Sequence, residues 1–570
     1  MSTARLPAPA RPGRLARPGP GTRLGWALAT AVPVVFLAVF FVWPVLALVG
    51  KGFVPAGALD LGPLGDVLSR PRTWRLVGLT LGQAVAGTAV SLLVGVPAAY
   101  VLHRLRFPGR AVVRACVTVP FVLPTVVVGV AFRAVLGEDG PLGFLGLDQS
   151  FAGIVAALAF FNVAVVVRTV GGMWERLDPR AEQAARSLGA GPLRVLRTVT
   201  LPRLAPAITS GASVVFLFCA TAFGVVLVLG GRRFGTIETE IYRQTVQLLD
   251  LPVAAVLSVL QVVVIVVALA VAARARRRRE HALDLAAASR GAHPVRRGDL
   301  PVVLAVAVVV LLLHVLPVAT LVLRSLRLPD GGWGLGNYVA LGGRGQRGVL
   351  TTTVWQAAGA SLRTALLATV LALVVGALLS LVLSRRPRAR AAERARGALD
   401  AMVMLPLGVS AVTVGFGFLI TMDHPLGLRA DLRTTGLLIP VAQAVVALPL
   451  VVRTLLPVLR AIDPRLREAA AVLGASPGRV LRTVDWPIAA RAAGLALGFA
   501  FAVSLGEFGA TAFLVRPGTV TLPVVIYQLL GRPGAQNYGM AMAASVVLAA
   551  VTAGVMLVSE RLRGSGTREF

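Results

Sequence analysis

The sequence predicts an all-α polytopic membrane protein with about 12 transmembrane helices, arranged as two parallel-duplicated six-span halves. The first observation is composition, because 56% of the 570 residues are hydrophobic and only 14% are charged, a balance typical of membrane proteins. The second is a series of apolar runs, each near the length of about 20 residues that a helix needs to cross a bilayer. The third is a sequence repeat whose two copies lie half a chain length apart.

The apolar runs divide evenly between the two halves. In the first half we predict spans at 25–49, 76–102, 112–136, 151–173, 207–230 and 253–273. In the second half we predict spans at 300–323, 361–383, 400–422, 434–455, 493–515 and 541–558. An even number of spans in each half gives the two halves the same orientation in the membrane.

Most positive charges lie in the segments between alternate spans. With a cytoplasmic N-terminus, 40 of the 57 Lys and Arg residues fall in the inside segments 1–24, 103–114, 168–206, 274–299, 384–398, 453–491 and 559–570. This is the cytoplasmic excess of Lys and Arg that orients membrane proteins. The net charge of +32 therefore indicates topology and attraction to anionic lipid of the bilayer, and its scatter over seven segments argues against nucleic-acid binding. We expect a multi-pass protein of a bacterial plasma membrane with both termini in the cytoplasm.

The spans and charges divide the chain into five segments. We predict a disordered cytoplasmic tail at 1–24, a first half at 25–273 with its core at about 76–273, a basic cytoplasmic linker at 274–299, a second half at 300–560 with its core at about 360–558, and a cytoplasmic tail at 561–570.

The repeat relates two polar, arginine-rich segments, 178–202 and 463–487, by a constant spacing of 285 residues. The paired landmarks are Asp178 and Asp463, Gly189 and Gly474, and Pro202 and Pro487. A spacing that stays constant over such a length indicates a parallel duplication, with a pseudo-two-fold axis along the membrane normal.

Each copy predicts a short helix, a glycine elbow and a second short helix. An Asp-Pro pair supplies an N-cap and a first-turn proline, an acidic residue lies near the positive end of the helix dipole, and a glycine ends the helix. The positions are Glu182, Gln183, Ala184, Ala185, Gly189 and Pro202 in the first copy, and Glu468, Ala469, Ala470, Gly474 and Pro487 in the second. An interfacial helix lying on anionic lipid would explain the basic face, whereas an elbow of small residues is better suited to a groove on another protein.

This pattern resembles the cytoplasmic loop of permease subunits of type I ATP-binding-cassette (ABC) importers. The shared motif is Glu-Ala-Ala-x-x-x-Gly, followed after thirteen residues by the Pro of a Leu-Pro pair. In this chain Gln183 stands where the family usually has Glu, and Trp486 replaces the usual Leu. The resemblance spans about 76–273 and 360–558. It implies the MetI-like permease fold, a coupling helix in each loop that docks on one of two cytoplasmic ATPase subunits, and an extracytoplasmic solute-binding protein as a further partner.

Fusion of two units in one chain is similar to the permeases of ferric-iron and thiamine uptake systems. The stretches 106–110, 160–162 and 236–244 look closest to the thiamine branch, while 504–509 is shared more broadly, including with oxyanion permeases. The resemblance therefore implies thiamine or ferric iron as the solute, with thiamine favoured, and another small solute such as an oxyanion remains an alternative.

The chain itself lacks the sequence motifs of an enzyme. A nucleotide-binding P-loop needs a lysine to reach the phosphates, and the only lysine is Lys51, at the end of the first span. We therefore expect ATP and Mg²⁺ to be bound by the partner subunits, with no cofactor or metal in this chain. An ion-driven secondary transporter is the rival hypothesis, and it would need protonatable residues in broken helices.

Three polar residues inside the predicted spans are candidates for the translocation path, namely Asn162, Gln443 and Glu507. Ionisable and polar side chains inside a membrane are costly and often functional. Asn162 and Gln443 could instead bond between helices, and the glycines beside Glu507 could instead serve close helix packing. Glu507 is the only mid-span acid that we find, which disfavours the ion-driven rival. Five acids are expected at the outer surface, where they either favour a cationic solute or are solvated loop charges. These acids are Glu138, Asp139, Asp148, Glu238 and Glu240.

Overall fold

A computed structural model describes residues 20–53, 62–231, 233–277, 293–385, 390–427 and 431–564. Most of the tail expected at 1–24, much of the linker expected at 274–299 and the end of the tail expected at 561–570 lie outside these ranges. Where the structure describes these segments it is largely helical, because the first helix begins at Pro20 and the last runs to Gly564.

The described chain is almost entirely α-helical, which confirms the all-α prediction. The first half contains α1 (Pro20–Leu37), α2 (Trp43–Phe53), α3 (Gly62–Ser69), α4 (Pro71–Arg104), α5 (Arg110–Thr118), α6 (Thr125–Leu136), α7 (Phe151–Trp174), α8 (Arg180–Ser187), α9 (Pro192–Val195), α10 (Leu201–Ala220), α11 (Gly224–Leu229), α12 (Ile237–Tyr242) and α13 (Leu251–Arg277).

The second half repeats this order. It contains α14 (Leu300–Val309), α15 (Leu316–Leu326), α16 (Gly336–Ala340), α17 (Val354–Ser384), α18 (Arg390–Gly408), α19 (Ala411–Thr421), α20 (Leu438–Ala461), α21 (Pro464–Val472), α22 (Pro477–Val480), α23 (Trp486–Gly506), α24 (Thr511–Leu514), α25 (Leu522–Leu530) and α26 (Ala535–Gly564). Two strands of two residues each, β1 (Leu105–Arg106) and β2 (His293–Pro294), pair in parallel and join the end of the linker to the loop after α4.

Ten continuous helices in the described residues are long and apolar enough to cross a membrane, and two bent pairs raise the total to twelve. The bent pairs correct the third and ninth predicted spans, since 112–136 is broken by a bend of 115° and 400–422 by a bend of 97°. At the first bend Leu123 is extended (φ −66°, ψ 140°), because the ring of Pro124 disfavours a helical conformation in the residue before it. At the second bend Ser410 is extended and caps α19 through its side chain.

The fifth and eleventh spans begin earlier than predicted. Each starts inside its repeated loop, at Pro192 and Pro477, and the continuous helices end at Ala220 and Gly506. The second short helix expected in each loop is therefore the first part of the following span.

A π-helical turn allows each of these spans to continue through a proline. The turns Leu196–Thr200 and Leu481–Asp485 are each followed by one residue and then by Pro202 or Pro487. In a π-turn each N–H bonds to the carbonyl five residues earlier instead of the carbonyl four residues earlier. This accommodates a proline, which has no N–H to donate and whose ring would clash with the carbonyl four residues earlier. The same arrangement recurs before Pro44 and Pro317, so it is a general solution in this chain.

The helices of the two halves pack in the same way. In the first half α4, α7 and α10 pack against one another, and in the second half α17, α20 and α23 do so. The first long helix of each half is exchanged, because α1 packs on α17 and α2 on α19, whereas α14 packs on α4 and α15 on α6. This exchange holds the two halves together.

We call the end of the bundle that carries the repeated loops the basic end and the opposite end the far end. The helices α10 and α23 run from the basic end toward the far end, and each is followed by a break and a shorter helix, α11 or α24.

In each half, a glycine lies at a close contact between two helices. A Cβ atom on Gly95 would lie 2.6 Å from the Cβ of Val166, and one on Gly376 would lie 2.6 Å from Cγ1 of Val451. We therefore predict that Gly376→Ala lowers the thermal stability of the detergent-purified protein, since overpacking a close contact costs about 1–3 kcal/mol.

Gly359→Ala on the same helix is the matched control, because a Cβ there meets nothing within 4 Å. Its melting temperature should equal or slightly exceed that of the wild type, since alanine is the better helix former. Equal melting temperatures for the two variants would contradict the packing argument.

Candidate functional site

The two repeated loops have the predicted elbow. The helices α8 and α21 end two residues before Gly189 and Gly474, whose φ angles are +81° and +80°. After each glycine the next N–H bonds back to a carbonyl five residues earlier, from Ala190 to Ala185 and from Ala475 to Ala470. This hydrogen-bond pattern is a common helix ending that requires a left-handed residue, usually glycine.

Each elbow presents an exposed leucine. Leu188 and Leu473, which precede the two glycines, are 89% and 87% exposed. Gln183 and Glu468 occupy equivalent positions in their helices, and both are exposed. Ala184 and Ala469 are exposed beside them. The elbows are therefore suited to contact a partner protein, with a neutral side chain in one and an acidic side chain in the other.

Glu182 is turned away from this exposed surface. One of its carboxylate oxygens binds Nη2 of Arg104, at the end of α4, at 2.9 Å. The other accepts a hydrogen bond of 2.9 Å from the hydroxyl of Thr200. Glu182 thus joins α8 to α4 and to the start of the following span, so Gln183 is the residue equivalent to Glu468.

The second loop has a corresponding clamp in which the acidic residue lies at a different position. Asp485 is fully buried and binds Nη2 of Arg385, at the end of α17, at 2.7 Å, and Nε of Arg467 at 2.6 Å. Arg467 occupies the position of Glu182, and Asp485 occupies the position of Thr200, 285 residues later. We call the groups Arg104–Glu182–Thr200 and Arg385–Asp485–Arg467 the two clamps. Sequence reasoning missed them because it treated every charge in the loops as exposed.

A cavity of about 280 Å³ lies between the two halves, where the helices are broken. Asn162 and Glu507 are among the residues that line it, whereas Gln443 is not. The other lining residues used below are Phe121, Phe161, Phe218, Phe223 and Phe508. Two of the three sequence-predicted path residues therefore meet at one site.

Glu507 lies beyond the end of α23 rather than in the middle of a helix. Its Oε1 accepts from the N–H of Ala510 at 2.7 Å, and its Oε2 accepts from the N–H and the hydroxyl of Thr511 at 3.0 and 2.6 Å. The neighbouring glycines do serve close packing, because a Cβ on Gly506 would lie 3.1 Å from Pro124. The two interpretations of this segment are therefore compatible.

Asn162 and Gln443 are both buried. The Asn162 amide donates to the carbonyl of Leu158 at 2.8 Å and to the Cys219 sulfur at 3.4 Å. Its Oδ1 has no hydrogen-bond partner in the described part of the chain, and the same is true of Oε1 of Gln443. Of the two, only Asn162 is among the residues that line the cavity.

Two phenylalanines related by the repeat stack on each other at the cavity. The ring centroids of Phe223 and Phe508 are 5.4 Å apart, with 16° between the planes. Tyr242 lies 5.4 Å from Phe223, and Tyr527 lies 5.6 Å from Phe508. Because the tyrosines come from α12 and α25, the cluster connects the cavity wall to these two helices.

A second cavity of about 720 Å³ lies toward the basic end. It shares the lining residues Phe121 and Val122 with the first cavity. Its charged and titratable lining residues are His103, Arg110, Arg114, Arg168 and Glu175. The two cavities therefore adjoin each other, and the second lies nearer the basic end.

Two acids on α12 that were expected near the outer surface are buried. Glu238 accepts from the hydroxyl of Ser410 at 2.6 Å and from Nε2 of Gln261 at 3.1 Å. Burial raises the pKa of Glu238 to about 8, although these two hydrogen bonds act to lower it. Since Ser410 belongs to the second half, Glu238 ties the halves together.

Glu240 has a different environment on the same helix. Burial acts to raise its pKa, but hydrogen bonds from Arg243 and Gln244 and the charges of Arg72 and Arg243 hold the pKa below its usual value. Arg72 and Arg243 both bind its carboxylate at 2.9 Å. Both acids thus have structural partners. Among the described residues, no group of three or more His, Cys, Asp or Glu side chains is placed to hold a metal ion.

The chain is similar to known membrane transport proteins. Residues 91–280 match the family model of the binding-protein-dependent transport system inner membrane component. The chain is 27% identical over 539 residues to the thiamine transport system permease protein ThiP of Brucella abortus (strain 2308), which covers 92% of this chain and 95% of the relative. It is 29% identical over 479 residues to the protein of the same name in Escherichia coli (strain K12), covering 81% and 85%.

Two further matches each cover less than half of the chain. The sulfate transport system permease protein CysT of Salmonella typhimurium (strain LT2) is 32% identical over 213 residues, covering 36% of this chain and 76% of the relative. The crystal structure of a bacterial ABC transporter involved in the import of the acidic polysaccharide alginate aligns with 45% of this chain and 96% of that chain, at 18% identity and a TM-score of 0.40. By the family model and the sulfate permease match, the chain belongs to the binding-protein-dependent transport system inner membrane components, the multi-pass permease subunits of ABC importers.

Proposed function

We propose that this permease forms the membrane path for thiamine. The observation that supports thiamine as the solute is the extent of similarity, since the fused thiamine permease of Brucella abortus aligns with 92% of the chain. The sulfate permease aligns with 36% of the chain, which is less than half of it. Ferric iron and oxyanions are therefore less well supported than thiamine. The path runs through the cavity that Asn162 and Glu507 line.

The basic end faces the cytoplasm in this proposal, with both termini on that side. The support is the distribution of charge, because the segments on this side hold 40 of the 57 Lys and Arg residues and cytoplasmic loops are rich in these residues. The far end then faces an extracytoplasmic solute-binding protein. Exposed apolar side chains such as Phe144 and Trp333 lie on loops at that end and offer it contacts.

Two ATPase subunits dock on the repeated loops, which we now call the coupling loops. A permease subunit of this family is not itself catalytic, so the energy comes from ATP and Mg²⁺ bound by these partners. In the first loop the docking surface comprises Gln183, Ala184, Ala185 and Leu188, and in the second it comprises Glu468, Ala469, Ala470 and Leu473. The exposure of both leucines supports this assignment, because large apolar side chains left in water are typical of interaction surfaces.

The clamps carry the motion of the ATPases into the membrane helices. Glu182 links α8 to α4 through Arg104, and Asp485 links α21 to α17 through Arg467 and Arg385. A docked helix that moves therefore moves a spanning helix with it.

We predict that Gly474→Val disrupts the second coupling loop and leaves the membrane helices folded. Its Cβ would meet nothing within 4 Å, but its φ of +80° is rare for residues with a side chain, so the elbow is strained by about 1–3 kcal/mol. Uptake and co-purification of the ATPase should both fall. Gly478→Val, which also has open space around it, is the matched control, as Gly191→Val is for Gly189→Val. Normal uptake and ATPase binding by the Gly189→Val/Gly474→Val double variant would contradict the assignment.

We predict that Asp485→Asn weakens transport more than ATPase binding. The substitution leaves Arg385 and Arg467 facing each other without an anion, and breaking a buried pair costs about 3–5 kcal/mol. The melting temperature and the uptake per ATP hydrolysed should fall. Asp463→Asn is the control, because this exposed N-cap tolerates Asn. A clamp variant with wild-type melting temperature and coupling ratio would show that the clamp transmits nothing.

Proteoliposomes that contain the permease with its ATPase and binding protein should accumulate radiolabelled thiamine when ATP is present. Depletion of ATP should abolish uptake and a proton uncoupler should not. Uptake that survives ATP depletion but collapses with the uncoupler would favour an ion-driven carrier instead. Accumulation of ferric iron or sulfate in place of thiamine would contradict thiamine as the solute but would still support ATP-driven import.

A further inference from the structure

The cavity between the halves has an unusual charge distribution. Glu507 is the only charged side chain among the described residues that line it. Its carboxylate is buried and is held by two N–H groups and one hydroxyl. The hydrogen-bond donors to this carboxylate in the described part of the chain are neutral groups of Ala510 and Thr511. A buried carboxylate without a cationic partner is costly, and a cation that enters the cavity would reduce that cost.

Capping α24 does not by itself require a carboxylate. The buried cap of α19 uses the hydroxyl of Ser410, which accepts from the N–H of Thr413 at 3.1 Å. At the position equivalent to Glu507 in the first half, 285 residues earlier, the chain has Ala222. The charge is therefore confined to one half, which provides a single negative site beside the pseudo-two-fold axis.

The walls of the cavity are rich in aromatic faces. Phe223 and Phe508 are stacked at its far side with their planes 16° apart. Phe121 and Phe218 lie 6.2 Å apart in the wall, and Phe161 also lines the cavity. The face of an aromatic ring is electron-rich and attracts cations, and flat rings stack on one another. A ring could enter between Phe223 and Phe508 if they part by about one ring thickness, roughly 3.5 Å.

One of the lining residues, Asn162, has an unused hydrogen-bond acceptor. Oδ1 of Asn162 is buried without a partner in the described residues, although the amide nitrogen is bonded. A buried acceptor without a donor is unfavourable, so a ligand N–H at this position would be stabilised.

We infer that this cavity is a binding site for a flat aromatic cation, with Glu507 as its counter-charge, Phe223 and Phe508 as its ring contacts and Asn162 as an acceptor for its N–H group. The inference rests on the proposed function and deepens it, because it places part of the recognition in the permease as well as in the binding protein. Thiamine has this chemistry, since it combines a permanently charged thiazolium ring with an aminopyrimidine ring. An oxyanion would be repelled by Glu507, and a bare metal ion would find one carboxylate.

The test measures binding to the purified permease in nanodiscs without the binding protein. The probes are N-methylquinolinium, an aromatic cation, and methylquinoline, its neutral analogue at pH 7.5, together with thiamine. We expect the wild type to bind the cation at least about 10-fold more tightly than the neutral analogue. Equal affinities in the wild type would overturn the inference, and this comparison does not depend on any variant folding.

Two variants then assign the residues. Glu507→Gln, which keeps an acceptor for the α24 cap, should remove the preference for the cation. Phe508→Leu should weaken the binding of both probes. Glu238→Gln is the matched control, because this carboxyl is buried outside the cavity and should retain the preference. A Glu507→Gln variant that melts as the wild type does and keeps the preference would refute the role of the carboxylate.

The outcome is separable from that of the uptake experiment. If the wild type prefers the aromatic cation but does not import thiamine, the cavity assignment holds and the cargo assignment fails. If the wild type imports thiamine but shows no charge preference, the import function holds and the cavity site is refuted.

Discussion

A helix in lipid can break only where the freed backbone groups find partners inside the protein. The helices of this permease break before α6, before α19, after α10 and after α23, and residues at or next to each of these breaks line one cavity between the halves. The hydroxyl of Ser410 and the carboxylate of Glu507 accept the N–H groups that two of these breaks leave unpaired. The same constraint thus fixes the position of the cavity and brings polar side chains to it.

The duplication sets the backbone, while the side chains of the two halves have diverged. Each clamp uses an arginine at the end of a spanning helix, but the acid lies at a different position, since Glu182 corresponds to Arg467 and Thr200 to Asp485. At the cavity the divergence has a different consequence, because Asn162 corresponds to Ala447 and Glu507 to Ala222. The backbone is therefore two-fold symmetric, whereas the polar side chains at the cavity are not. An asymmetric set of side chains suits a solute without two-fold symmetry.

One long helix in each half connects the basic end to the cavity. The helix Pro192–Ala220 has 29 residues, which corresponds to about 43 Å at roughly 1.5 Å per residue. It passes through Pro202 without a break because the preceding π-turn provides for the missing N–H. Its counterpart begins in the second coupling loop and ends beside Glu507. Movement at the loops can therefore reach the cavity through a continuous element.

The sequence by itself determined the all-α class, the number of membrane elements and the paired loops, because hydropathy over about 20 residues and a constant spacing are properties of the chain alone. It also singled out Asn162 and Glu507, since polar side chains are rare in apolar runs. Only the tertiary structure decided that the third and ninth spans are bent, that Glu182 faces inward and that Gln443 stays outside the cavity lining. These outcomes depend on which neighbour receives a side chain or a broken backbone, and the partners involved, such as Arg104 for Glu182 and Arg385 for Asp485, lie 78 and 100 residues away along the chain. Contacts between residues so far apart leave no local pattern in the sequence. Only the folded structure shows which residues are partners.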